Sequence, residues 1–223
     1  MPPRALEPAG VALVDKPSGP SSFAVVAQIR RVTGARTGHA GTLDPFATGL
    51  LLILSGRATK LTPSLVGLDK RYVTEIDLTC RTSTGDPEGA VLEQHAPPGR
   101  DELEEKLDAL RGAIELPIPA ASAVKIGGQR AYKLARRGVE VEMLVRRSTV
   151  HELAVVGYTG DTVTLDARVS SGTYIRSLAL ALGGHCVSLR RTEVGPFSVA
   201  DAVAPEAFAA ERLLPEADVL ERV

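Results

Sequence analysis

Leu50, Leu51, Leu52, Ile53 and Leu54 form an unbroken apolar run directly after a glycine-rich loop, GHAGTLDPFATG at residues 38–49. Such a run predicts a buried strand. The loop is of another kind, because it sets one carboxylate, Asp44, among glycines, threonines and a histidine. Glycine lets a ligand approach the backbone closely, and Asp-Pro at 44–45 disfavours helix. A single acid is therefore expected on a stiff loop anchored to the core, as a reactive group requires. On local chemistry alone, starting a turn is the commoner role for an aspartate in this setting.

The chain has 223 residues with 44% hydrophobic content, enough to bury one core, or one core with an appendage. No apolar stretch approaches bilayer-spanning length, and the N-terminus lacks a charged-then-apolar signal pattern. Cys80 and Cys186 lie far apart without metal-ligand spacing. Both are expected to be buried thiols in a reducing cytoplasm. A formal net charge of −1 argues against a uniformly basic nucleic-acid binder. Its distribution is uneven, however. Between 122 and 147, Lys125, Arg130, Lys133, Arg136, Arg137, Arg146 and Arg147 outweigh Glu140 and Glu142, whereas 201–223 is acidic. The basic segment suits either a phosphate-tracking face or an ordinary solvated surface.

Val11 to Val14 predicts a short strand. Ser21 or Ser22 then caps a helix with Val25, Ile29 and Val32 at helical spacing, ended by Gly34. Residues 71–81 alternate polar and apolar side chains as a half-buried strand does. Leu103, Leu107 and Leu110 form a helical stripe opposite Glu102, Glu104 and Glu105. A hairpin is expected around Thr159-Gly160-Asp161. After Gly172, Ile175, Leu178 and Leu182 repeat at helical spacing, which places Arg176 early in a helix. Together these predict an α+β chain with a mixed, largely antiparallel sheet and helices packed on it.

Five blocks, in order, carry a resemblance: GVALVDKPSGPSS at 10–22, GHAGTLDPFATGLLLILSGRATK at 38–60, DKRYVTEIDLTCRTSTGDPEG at 69–89, SAVKIGGQRAYKLARRG at 122–138 and SSGTYIRSLALALG at 170–183. Each is similar to a signature of the tRNA pseudouridine-55 synthases, the TruB family, and together they span most of the chain. The resemblance implies the pseudouridine synthase fold, with a catalytic domain over 1–200. It also implies isomerisation of uridine in the T-loop of tRNA, bound through the T-stem and loop. No cofactor and no metal are expected, and the chain lacks a GxxxxGK[ST] loop, a GxGxxG turn after a strand and a cysteine–histidine cluster. A monomer is expected. The family usually adds a C-terminal PUA module, which the acidic 201–223 segment does not supply. The stretch from Leu178 to His185 is shorter than usual, and Cys80 stands where glycine is common.

Residue by residue, Asp44 matches the family's catalytic aspartate. Its carboxylate could add to the sugar, add to the ring at C6 or take a proton from C2′. Arg176 matches the arginine that pairs with that aspartate, a suitable partner because guanidinium stays protonated and binds carboxylate bidentately. Tyr72 matches the tyrosine lying against the everted base. His39 and Tyr174 match substrate contacts, Leu189 an apolar pocket wall, and Lys16 with Pro17 a motif that supports the active loop. Arg190 and Arg191 are candidate phosphate contacts. An RNA-binding factor without catalysis would use the same surface, but it has no need of a buried carboxylate facing anionic RNA.

Overall fold

Residues 8–119, 122, 124–126, 129–130 and 144–223 are described by the structure, a computed structural model. In chain order the elements are β1 (Gly10–Lys16), α1 (Ser22–Thr33), β2 (Thr37–His39), β3 (Thr48–Ser55), α2 (Thr62–Gly67), β4 (Lys70–Asp77), β5 (Cys80–Thr82), β6 (Val91–Gln94) and α3 (Arg100–Ala109). They continue with β7 (Gly112–Pro117), β8 (Lys125–Ile126), β9 (Gln129–Arg130), β10 (Val145–Tyr158), β11 (Thr162–Val169), α4 (Ile175–Leu182), β12 (His185–Val194), β13 (Phe197–Ser198) and α5 (Glu216–Leu220). The fold is α+β. The chain divides into two compact units, Met1–Tyr72 with Leu189–Val223, and Val73–Ser188. The chain passes between them within β4 and β12. Among the described residues, no helix is long and apolar enough to cross a membrane.

In the first unit, β3 is the strand that the apolar run predicts. It is paired on one edge by β1, antiparallel from Gly10↔Ser55 to Lys16↔Gly49, while β2 also pairs antiparallel with it. Arg190 and Arg191 of β12 pair parallel with Thr48 and Gly49, so the sheet is mixed. Leu50, Leu52 and Leu54 pack with Val11, Leu13, Leu65, Phe197 and Val219, and the alternate residues Leu51 and Ile53 are equally buried. Burial on both faces explains why no polar residue interrupts the run. Helix α1 starts as expected: Ser21 is the cap, its hydroxyl accepting from Ala24 N–H at 3.2 Å, and Gly34 ends the helix in the left-handed region. The acidic 201–223 stretch folds back on β1, with Val203 and Leu214 bridging Val14 and Val11, and Val219 in the core.

In the second unit, β10 and β11 form the expected hairpin, closed by Thr159 N–H to Thr162 O at 3.0 Å, and β7 flanks β10 antiparallel. The strand expected over 71–81 is broken: β4 ends at Asp77 and β5 begins at Cys80. The cause is local. Asp77 Oδ1 accepts from Thr79 N–H at 2.7 Å and Thr79 Oγ1 at 2.6 Å, an Asx turn that competes with strand pairing. Helix α4 ends at Gly183, in the left-handed region.

Candidate active site

The loop that carries Asp44 is held by its backbone from three sides, all within the first unit. Lys16, fully buried on β1, donates to Pro17 O at 2.9 Å, Pro45 O at 3.0 Å and Ala47 O at 2.7 Å. An ammonium has three protons, so every one is used. Ser22 grips Leu43 twice: its hydroxyl donates to Leu43 O and accepts from Leu43 N–H, both at 2.8 Å. Arg191, 1% exposed, donates from Nε to Leu50 O at 2.7 Å and from Nη2 to Gly41 O at 3.1 Å. Gly19 N–H adds a second bond to Pro45 O at 2.8 Å, and Ala47 N–H closes the turn onto Asp44 O at 3.2 Å. Residues on both sides of Asp44 are thereby fixed to the sheet.

Gly49 makes the third anchor possible. Its φ is +104°, and a Cβ there would lie 2.2 Å from Arg191 O. Only glycine lets β12 approach closely enough to place the Arg191 guanidinium under the loop.

These anchors also set the local electrostatics. Burial pushes the Lys16 ammonium down to about 8, with Asp44's charge opposing and Arg191's charge reinforcing the shift. The coupling is reciprocal, so the ammonium favours ionised Asp44. Lys70 is likewise pushed to about 8 by burial and then by Arg191, and donates to Val66 O at 2.6 Å. His39, half-buried on β2, is pushed down by burial and then by Arg191, while a backbone hydrogen bond at Gly41 acts the other way. Neutral imidazole is the form this favours. Tyr72 is 8% exposed and shares the buried side of β4 with Lys70. Leu189 is buried on β12.

The second unit holds Tyr174, which precedes α4, and Arg176 in its first turn. Arg176, 3% exposed, donates from Nη1 to Thr84 O at 2.8 Å and to Asp86 Oδ2 at 3.1 Å. Asp86 is also buried. Its Oδ1 accepts from Thr84 Oγ1 at 2.6 Å and Glu88 N–H at 3.1 Å, so both carboxylate oxygens are occupied. Tyr174 lines a small cleft with Arg146, Ser148, Gly172, Thr173 and Ser177.

The two arginines expected to contact phosphate differ. Arg191 is an internal strut and does not reach solvent. Arg190 is partly exposed but engages Asp15 with two bonds, at 3.1 and 2.8 Å. Strand alternation carries the signal: adjacent residues in β12 point to opposite faces, so one of the pair had to face inward. Ser22 was hidden by its neighbour, since either serine could cap α1. Asp86 as partner of Arg176 has no local signature. Lys133, Arg136 and Arg137 of the basic segment lie outside the described residues. Arg147 is exposed and pairs with Glu115.

A chain solved in a Cbf5–Nop10–Gar1 complex is similar over 96% of this chain and 62% of its own length, with a TM-score of 0.72 and 25% identity. This chain thus spans about three fifths of that one. The tRNA pseudouridine synthase B of Thermobifida fusca (strain YX) is 47% identical over 219 residues, covering 91% of this chain and 75% of that protein. That of Aromatoleum aromaticum is 44% identical over 214 residues, covering 91% and 69%. Residues 30–175 match the TruB family pseudouridylate synthase (N terminal domain). Fold and sequence thus define an enzyme of the pseudouridine synthase class. Within that class, the chain belongs to the TruB family.

Proposed function

We propose that this enzyme isomerises uridine to pseudouridine at position 55 in the T-loop of tRNA, with Asp44 as its catalytic carboxylate. The observation that carries the reading is the immobilised turn around Asp44, tied at Gly41, Leu43, Pro45 and Ala47 by three buried side chains. Isomerisation breaks the C1′–N1 bond, turns the uracil and joins C5 to C1′. C5 loses a proton and N1 gains one, so no oxidant or donor is consumed. Adding to C1′, adding to C6 and removing a C2′ proton all require an ionised carboxylate held at one place relative to the sugar.

A stacked T-loop base must be everted, at a cost of about a few kcal/mol, which stacking on an aromatic ring offsets. Tyr72 is proposed as that ring and as an aid to removing the C5 proton. Arg176 is proposed to stabilise the charged carboxylate, His39 to hold the rearranged loop, Tyr174 to touch the uracil or its sugar, and Leu189 to wall the pocket. Lys16 is a positioning residue rather than a proton carrier, as its three bonds to carbonyls support. One chain is proposed to act on each RNA, in the cytoplasm.

Tritium release from 5-tritiated uridine in a T-stem-loop transcript tests this reading. Wild type should release one tritium per target uridine and Asp44→Asn none. Release that survives in Asp44→Asn, or wild-type release equally fast from a transcript with a scrambled loop, would refute the catalytic or the substrate assignment respectively.

A further inference from the structure

Asp77, Cys80 and His185, all in the second unit, each offer a metal-ligating atom, and these atoms lie within 4.8 Å of one another. None has a part in the proposed isomerisation. Cys80 Sγ and His185 Nδ1 are 3.5 Å apart. Zinc bonds of about 2.3 Å to sulfur and about 2.05 Å to nitrogen, at a tetrahedral angle, also place those atoms about 3.5 Å apart. The pair is therefore already at ligand spacing. Asp77 is fixed by the bonds from Thr79 N–H and Oγ1 to its Oδ1.

The backbone around the three is rigid. A Cβ at Gly184 would lie 2.1 Å from Asp77 O, so the segment before His185 packs directly on the end of β4. Cys186 N–H donates to Gly85 O at 3.0 Å, and Thr74 Oγ1 donates to Ser188 O at 2.7 Å. Cys80 and His185 are buried while Asp77 is partly exposed.

We propose that Asp77, Cys80 and His185 together form a zinc site. Thiolate and imidazole select zinc over magnesium or calcium, which prefer all-oxygen sites. The proton balance is definite. Cys80 gives its thiol proton to solvent on binding. His185 Nδ1 lies 3.2 Å from Cys80 O as well as 3.5 Å from Cys80 Sγ. Ligation through Nδ1 uses its lone pair and leaves Nε2 to carry the ring N–H. The ion ties the β4–β5 turn to the start of β12, 105 residues away from Cys80 in sequence. It is a structural staple that takes no part in the isomerisation, so its test is independent of the proposed function.

The experiment uses the untagged full chain, stripped with chelator and titrated with zinc by calorimetry, with cobalt as a spectroscopic substitute. One equivalent should bind, cobalt should give a near-ultraviolet thiolate charge-transfer band, and zinc should raise the melting temperature. Cys80→Ser and His185→Gln should each weaken binding by more than about 100-fold, since even changes outside the ligand set cost 10–100-fold. Cys186→Ser should leave binding intact. Absence of saturable binding or of the cobalt band in wild type overturns the proposal. So does full affinity in folded Cys80→Ser or His185→Gln, or loss of binding in Cys186→Ser alone.

Discussion

Lys16→Met separates the two consequences of burying an ammonium under the Asp44 loop. Methionine keeps most of the apolar stem and removes the charge and all three donors. In the wild type, native Lys16 releases its proton at about 8, whereas the unfolded chain holds it to 10.5. Between those values the unfolded state binds more protons, so wild-type stability must rise with pH across this window. The full gain is about 3 kcal/mol, and roughly 1–2 kcal/mol is present by the middle of the window. Lys70 titrates in the same range in both proteins, so it cancels when the two are subtracted.

Activity should move the other way. A neutral amine has two donors for the three carbonyls of Pro17, Pro45 and Ala47, so one tie to the turn is lost as the charge is lost. Wild-type turnover should therefore fall above about 8, the value to which burial brings Lys16. Lys16→Met should be slow throughout and lack that particular fall. Urea unfolding midpoints and tritium release, measured for both proteins across the window, give the comparison. Equal pH slopes of stability in wild type and variant would refute the burial argument. Wild-type turnover that stays flat while stability rises would refute the link between this lysine and the loop.

Gly49→Ala should cost more than about 4 kcal/mol, because the methyl group collides with Arg191 O at a backbone φ that disfavours side chains. Gly38→Ala, where nothing lies within 4 Å, should be tolerated, and thermal melts of the two variants make the test. Asp86→Ala leaves the Arg176 guanidinium buried without this carboxylate. Unfolding should then become easier by about 3–5 kcal/mol, with turnover lost alongside, as denaturant titration and tritium release would register.

Local pattern made much of this fold legible. The Leu50–Leu54 run, the capped helix ending at Gly34 and the hairpin around Gly160 each depend on neighbours in sequence, and each formed where the pattern placed it. The loop around Asp44 was legible as a stiff loop anchored to the core for the same reason. What escaped depends on partners distant in sequence. Ser22 and Leu43 are 21 residues apart, Arg176 and Asp86 are 90 apart, and Arg191 and Gly41 are 150 apart. The break after Asp77 was a local signal overlooked, because alternation of side chains masked an Asp-x-Thr turn. The Cys80–His185 pair escaped because ligand spacing in sequence is informative only when one short loop supplies the ligands.

The anchors of the Asp44 loop share a choice of partner with a physical consequence. Lys16 and Arg191 both bond main-chain carbonyls, which are neutral, so holding the loop does not cancel their charge. A carboxylate in the same role would anchor equally well and extinguish the local field. Burial first, and the Arg191 charge in addition, push Lys16, Lys70 and His39 towards their neutral forms. An anionic group is the one species such a region favours, and Asp44 is the carboxylate that acts on Lys16 from within it. A chain with net charge −1 can in this way present a positive site to a polyanion. It follows that Arg191→Met should harm substrate affinity as well as turnover, and should flatten the salt dependence of binding even though this arginine touches no solvent.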